Sequence, residues 1–229
     1  MLVADWVAQY LKSRGIEKIF VYPGGTIAPL IDSCLKVGIT YECFKSEQGA
    51  GFAALAYSKL TRAPQVIMVT SGPGVTNVIT PIADAFYDSV PLVVVTGQIS
   101  AADLQTRKEV RQRGFQETPT VDLTRPISKK STCLMDPEAV FKEVPAAFDL
   151  SQSGRQGPVV LDFPMNVQRT ELAEAPQIKE VKCEPRKTVQ DSIDDHRFQE
   201  IVSVIQDCKR PVILLGNGAL QSQKFNELL

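Results

Sequence analysis

The residues best placed to do chemistry lie in one stretch, Phe44–Asn77, which reads FKSEQGAGFAALAYSKLTRAPQVIMVTSGPGVTN. Glu47 stands at the end of a short apolar run, and behind it come Gly49, Ala50, Gly51, Ala53, Ala54 and Ala56. A surface that thin lets another backbone or a flat ring approach closely, and a lone acid beside such a crevice is a candidate proton-transfer group. Val66–Val69 reads as a buried strand that ends in Thr70-Ser71-Gly72-Pro73-Gly74. Strand, glycine turn and new helix is the arrangement in which parallel-sheet proteins bind ligands at strand ends. Residue types alone leave a plainer reading open for each feature. Glu47 also reads as an acid favoured by a helix N-terminus, Ser71–Gly74 as a mere strand-to-helix turn, and Gln116, after Phe115, as a solvated loop residue.

The elements that must position these residues alternate. Val3, Trp6, Val7, Tyr10 and Leu11 fall at helical spacing, with Gly15 as a C-terminal cap. Lys18–Tyr22 predicts a strand stopped by Pro23-Gly24-Gly25, and Ile27, Leu30, Ile31, Cys34 and Leu35 a helix closed by Gly38. Thr40–Phe44 is a second strand, Glu47–Leu60 a small-residue helix and Gln65–Thr70 a third strand. Val75, Val78, Ile79, Ile82 and Phe86 then mark an inward helix face before a fourth strand, Pro91–Thr96, apolar throughout as a parallel strand buried on both faces should be. Ala101–Gly114 carries Asp103, Arg107, Lys108, Glu109, Arg111 and Arg113, too polar for a core, and reads as a surface loop or exposed helical turn over the strand ends. A strand is expected near Pro126–Lys130, and Asp136-Pro137-Glu138 is a helix start that Pro145 should later kink. Gly157–Phe163 closes the unit. Six strands alternating with helices imply a doubly wound parallel α/β sheet.

From Pro164 to about Gln190 the hydrophobic period disappears, and residues 170–190 read as a linker between a domain over 1–169 and the start of another over 191–229. That second stretch predicts a helix on Phe198, Ile201, Val202 and Ile205, a strand over Pro211–Leu215, a glycine turn and a helix beginning by Leu228-Leu229. One strand cannot close an α/β domain, so the chain is expected to be the N-terminal piece of a longer protein.

Composition excludes several classes. The chain has 229 residues, 44% hydrophobic and 22% charged, with a net charge of −1, which gives no reason to expect nucleic acid or an anionic membrane as partner. No apolar run approaches the roughly 20 residues that span a bilayer, and MLVADWVAQYLKSRG does not read as a signal peptide. Five cysteines without CxxC spacing suggest reduced thiols and a cytoplasmic protein. The sole histidine, His196, sits at the polar start of a helix, which argues against a Ser-His-Asp triad and a histidine-rich metal site. There is no P-loop, and Gly216-Asn217-Gly218-Ala219-Leu220-Gln221 lacks the third small residue of the dinucleotide fingerprint.

YPGG at Tyr22–Gly25, EQGAG at Glu47–Gly51, TSGPGVTN at Thr70–Asn77, DSVPLVVVTGQ at Asp88–Gln98 and GFQE at Gly114–Glu117 occur in this order. Together they resemble the N-terminal pyrimidine-binding domain of thiamine-diphosphate enzymes of the acetolactate synthase large-subunit type. The resemblance implies that Glu47 hydrogen-bonds the aminopyrimidine N1′ of thiamine diphosphate and favours the imino tautomer that takes the thiazolium C2 proton. It implies that Tyr22, Pro23, Gly24 and Gly25 line the pyrimidine pocket. Thr70, Ser71, Gly72, Pro73 and Asn77 match the turn and helix start near the cofactor and a dimer contact, and Gln116 a glutamine facing the reaction centre. The implied activity is decarboxylation of a 2-oxo acid such as pyruvate, with ligation of the fragment to a second carbonyl, in branched-chain amino acid biosynthesis. A homodimer or homotetramer and a regulatory subunit follow from the same likeness. Magnesium ligands and the diphosphate site would lie beyond Leu229, so no metal ligand is expected here, and this stretch alone should be inactive; the likeness also admits FAD.

The chain departs from the pattern at Ser46, where acetolactate synthases usually have histidine, and in the basic RKEVRQR before GFQE. That version is similar to acetolactate-synthase-like proteins of surface-polysaccharide synthesis, whose substrates differ. Two other readings stay open on the residues: a cofactor-binding oxidoreductase on a similar sheet, and an α/β binding module that keeps the fold without the chemistry.

Overall fold

Residues 1–106, 109–178 and 194–220 are described by the structure, a computed structural model. Arg107, Lys108, Cys183, Pro185, the later part of the expected linker and the helix start at Leu228-Leu229 lie outside them. Contacts divide the chain into two units, Met1–Pro185 and Arg186–Leu229.

In the first unit, α1 (Val3–Ser13) buries Val3, Trp6, Val7, Tyr10 and Leu11, and Gly15 follows it at φ 77°. The chain continues through β1 (Lys18–Tyr22), α2 (Ala28–Lys36), β2 (Thr40–Cys43), α3 (Glu47–Thr61), β3 (Gln65–Val69), α4 (Pro73–Tyr87) and β4 (Leu92–Gln98). Then come α5 (Ala101–Gln105), α6 (Thr120–Thr124), β5 (Lys130–Cys133), α7 (Pro137–Gln152), β6 (Pro158–Pro164) and α8 (Met165–Gln168). Asp136 caps α7 by accepting the Glu138 N–H at 3.0 Å, and the helix runs through Pro145 without a break in assignment.

The strands form one six-stranded sheet in the order β2-β1-β3-β4-β6-β5, every pair parallel. Alternate residues of each inner strand feed opposite layers. Val66, Met68, Val93 and Val95 join α1, α2 and α7 in one core. Ile67, Val69, Leu92 and Val94 join α3 and α4 in the other. A strand with a core on both faces favours apolar residues at every position, which is why Val66–Val69 and Leu92–Val95 are continuous in them.

Two expectations need correction. The strand near Pro126–Lys130 begins only at Lys130, after a 3-10 turn over Arg125–Ile127. Pro126 cannot donate to a ladder, the Ser128 hydroxyl instead bonds Thr124 O at 2.8 Å, and Lys130 is the first residue to pair with β6, opposite Val159. The strand expected over Pro211–Leu215 does not form among the described residues. Val212, Ile213 and Leu214 stand 94%, 73% and 95% exposed, with no neighbouring strand to complete their hydrogen bonds.

Residues 170–178, within the stretch expected to link domains, lie along α1. Val3 N–H bonds Thr170 O at 3.0 Å, Leu172 N–H bonds Met1 O at 2.8 Å, and the Trp6 indole N–H bonds Pro176 O at 2.9 Å. The second unit shows α9 (Asp195–Asp207), whose N-cap Asp194 accepts the His196 N–H, and α10 (Asn217–Leu220).

Candidate active site

In an all-parallel sheet the C-terminal strand ends share one edge. The chain adds β2 on one side of β1 and β3 on the other, and such a switch point is where open α/β sheets hold ligands. The segments that follow β1, β2 and β3 therefore converge there, and these carry most of the sequence-predicted site residues.

Glu47 opens α3. Ser46 is its N-cap, with Oγ accepting the Gly49 N–H at 3.1 Å, so the residue that stands where a histidine was expected serves the helix start. Glu47 is only 6% exposed, and Asn77 Nδ2 donates to its Oε2 at 2.9 Å from the adjacent helix α4. The two helices meet closely because Gly51 leaves room for the Pro81 ring, which an added Cβ would overlap. Glu47 Oε1 has no hydrogen-bond partner among the described residues. One oxygen of Glu47 is held and the other takes no hydrogen bond from the described residues, which leaves it available to a ligand that brings an N–H donor, as an aminopyrimidine ring does when its N1′ is protonated.

A second cluster joins the turns after β1 and β3. The Thr26 and Thr70 hydroxyls lie 2.8 Å apart, and Thr26 Oγ1 accepts the Ser71 N–H at 3.0 Å. Gly24 abuts Thr70 so tightly that a Cβ would overlap it. Gln168 Nε2 donates to Thr26 O at 2.7 Å and Phe163 O at 2.8 Å, while its buried Oε1 has no partner among the described residues. Gly72, at φ 66° and ψ −120°, adopts a conformation open to glycine. A Cβ there would also stand 2.7 Å from the Gln116 Cβ. Gln116 itself sits at φ 58°, the left-handed region that costs a side-chain-bearing residue about 1–2 kcal/mol. Strain of this kind persists where the surroundings over-determine it, as functional sites do.

The structure thus brings Glu47 to Asn77, and Gly24, Thr70, Ser71, Gly72 and Gln116 into one chain of contacts. Tyr22, Pro23 and Gly25 lie exposed at the end of β1, with no side-chain hydrogen bond to either cluster among the described residues. Phe115 is 84% exposed. Thr26, Gln98, Asp162 and Gln168 escaped the sequence reading as site residues. Asp162 had a signal, a charge inside the apolar run VVLDFP, and so did Gln98 at the end of VVVTG. Asp162 is 2% exposed, and burial pushes its carboxyl up to about 6 against the donors Gln98, Thr96, Thr120 and Cys133. Beside it, burial pushes the Cys133 thiol up to about 12. The Arg113 guanidinium holds the Glu117 carboxyl below its usual range. No three His, Cys, Asp or Glu side chains gather as a metal-ligand set among the described residues.

Residues 1–123 match a family model described as "Thiamine pyrophosphate enzyme, N-terminal TPP binding domain". The chain is 37% identical over 214 residues to the acetolactate synthase large subunit of Lactococcus lactis, covering 93% of this chain and 36% of the relative. It is 35% identical over 222 residues to the chloroplastic acetolactate synthase of Arabidopsis thaliana, covering 96% and 32%. With the acetolactate synthase isozyme 2 large subunit of Escherichia coli it shares 32% over 220 residues, covering 96% and 38%. The chain spans about a third of the length of the curated relatives it matches.

Proposed function

Because the chain belongs to the thiamine pyrophosphate enzymes, in the part that forms their N-terminal binding domain, we propose that the intact protein is a carboligase of the acetolactate synthase type. It decarboxylates a 2-oxo acid such as pyruvate and joins the remaining fragment to a second carbonyl. The observation that carries this reading is Glu47, buried at the switch point, with Oε2 held by Asn77 and Oε1 unpartnered among the described residues.

Thiamine diphosphate, when bound, supplies a carbon nucleophile and a sink for the electron pair that decarboxylation releases. This chain's residues do the rest of what falls to them. With the cofactor bound, Glu47 Oε1 would hold a proton shared with the aminopyrimidine N1′. Asn77 fixes the carboxylate so that little reorganisation accompanies proton transfer. Tyr22, Pro23, Gly24 and Gly25 line the ring, Thr70, Ser71, Gly72 and Pro73 shape the turn beside it, and Gln116 faces the reacting carbon. The magnesium and diphosphate ligands are placed in residues outside this stretch, and FAD is a further cofactor the reading admits.

A homodimer or homotetramer is supported by exposed apolar residues on α3 and α4, including Phe52, Leu60 and Tyr87 at 38%, 82% and 68%. A regulatory subunit, the pathway to branched-chain amino acids and a cytoplasmic location belong to the same proposal. No helix among the described residues is long and apolar enough to cross a membrane, and Cys34, Cys43, Cys133 and Cys208 are free. Ser46 favours a second reading, a related lyase with another 2-oxo acid as substrate. Carbon dioxide release from a panel of 2-oxo acids, with and without thiamine diphosphate, tests both. Acetolactate from pyruvate is expected; release from another acid alone selects the second reading, and no cofactor-dependent release from any acid overturns both.

A further inference from the structure

At the C-terminal ends of β4 and β6 a polar network is sealed inside the sheet. Asp162 faces Thr96 across the strands, and the Thr96 hydroxyl donates to Asp162 Oδ1 at 2.7 Å. Gln98 is 1% exposed, and its carboxamide is fully used. Nε2 donates to Asp162 Oδ2 at 2.9 Å and to Thr118 O at 2.9 Å, while Oε1 accepts the Ile99 N–H at 2.9 Å. Replacing Gln98 and Asp162 together by apolar side chains of similar shape would remove the need for their bond, so packing alone does not require the network.

What it does hold is the loop Gly114–Thr118. Gly114 packs against Ile99, with room for no more than a hydrogen at that face. Two residues on, the left-handed Gln116 rests on Gly72, whose added Cβ would meet the Gln116 carbonyl oxygen at 3.1 Å. Two residues further, the Thr118 carbonyl is gripped by Gln98. Glu117, its side chain mostly covered, bonds the Arg113 backbone N–H and guanidinium. Gln98 ties this loop to β4 through the Thr118 carbonyl. Without that tie the loop keeps its own bonds, from Glu117 N–H to Gly114 O, Thr118 Oγ1 to Gln116 O and Thr120 N–H to Thr118 O, all of which move with it, so Gln116 can shift on Gly72.

We propose that Gln98, oriented by Asp162, is a positioning residue that sets the side chain of Gln116. This rests on the reading that places Gln116 at the reaction centre. A displacement of about 1 Å in such a group costs up to about a hundredfold in rate, so Gln98→Met in the intact protein should lower kcat about tenfold to a hundredfold, with KM changed less.

Two measurements on the intact protein decide it. In a cycle with Gln116→Ala, Gln98→Met should have almost no further effect on kcat, since it acts through a side chain already removed. Additive effects, or a wild-type kcat in folded Gln98→Met, overturn the proposal. Hydrogen exchange of the Gly114–Thr118 amides should quicken several-fold in Gln98→Met without cofactor or substrate; unchanged exchange overturns it also. If Gln98→Met does not fold, the reversed pair Gln98→Glu with Asp162→Asn rebuilds the bridge between the two side chains but turns a carboxylate toward Thr118 O. It should regain stability and still show the lower kcat and faster exchange. Should the wild type show no thiamine-diphosphate-dependent turnover, the proposed function fails, and the exchange measurement alone judges the clamp.

Discussion

The two edges of the sheet are built by different means. At the N-terminal edge, charges meet opposite charges and ring faces. Lys18 pairs with Glu42 at 3.0 Å and lies over the Tyr57 ring, and Arg14 pairs with Asp149 at 3.3 Å and lies over the Phe148 ring. Arg14, Lys18, Tyr57 and Phe148 line a cavity of about 330 Å³ together with Gln65. At the C-terminal edge, buried groups are held by neutral donors, glycines admit close backbone contacts, and one oxygen of Glu47 has no partner among the described residues. Partially exposed pairs of the first kind add little stability and can vary. Buried groups of the second kind are costly unless each is satisfied, and the carboxylate oxygen of Glu47 without a partner among the described residues is open to a ligand. On the proposed function, the N-terminal edge serves the fold and the C-terminal edge serves the chemistry.

Four substitutions test that contrast. The largest effect is expected at Glu47→Gln in the intact protein. The amide keeps an oxygen for Asn77 but cannot hold the shared proton, so turnover should fall by about 10²–10⁴ while the melting temperature hardly moves. Turnover within a few-fold of wild type would take Glu47 out of the chemistry and erase the contrast. Next, Gly72→Ala combines a forced left-handed residue with overlap on Gln116. Denaturant unfolding should show a loss of about 2–5 kcal/mol, the sum of conformational strain and overpacking. A loss below about 1 kcal/mol would mean that the turn yields easily and does not brace Gln116.

The third concerns pH. Burial raises the Asp162 carboxyl from 3.8 to about 6, and its ionisable neighbour, the Cys133 thiol, stays neutral because its own value is pushed up to about 12. A folded value above the unfolded one means that the native state binds more protons between the two. Its stabilising contribution is therefore complete below about pH 3.8 and is lost as the pH rises through about 6. Asp162→Asn removes this dependence. The stability of wild type relative to the variant should rise by up to about 3 kcal/mol as the pH falls from 7 to 4, since a tenfold difference in proton affinity between the folded and unfolded chain is worth about 1.4 kcal/mol. Parallel pH profiles for the two proteins would show that Asp162 does not titrate in this range. The smallest effect belongs to the other edge. Asp149→Asn should cost less than about 1 kcal/mol, fade further at high salt and leave turnover unchanged; a loss of turnover would show that the N-terminal edge takes part in the chemistry.

Much of the fold was legible because local pattern and burial coincide. Continuous apolar runs such as QVIMV and LVVVT mark strands with a core on each face, and Asp136-Pro137-Glu138 marks a helix start whatever lies around it. The place of Glu47 at the head of α3 was readable for the same reason, since a serine cap and an acid in the first turn are local signals. The strand expected from PVILL shows the limit. The same residue types that make β3 stand exposed over Val212–Leu214, because a strand exists only when another strand accepts its hydrogen bonds.

The alternation of elements, the parallel sheet and the family likeness are all written in short-range spacing, so the order of residues was enough to fix them. Which side chains meet is settled only in the folded chain. Asn77 reaches Glu47 across 30 positions of sequence, Gln168 reaches Thr26 across 142, and Asp162 reaches Gln98 across 64. No local spacing encodes such distances. They are set by the order in which the strands assemble, and that order follows from which apolar faces can be buried together.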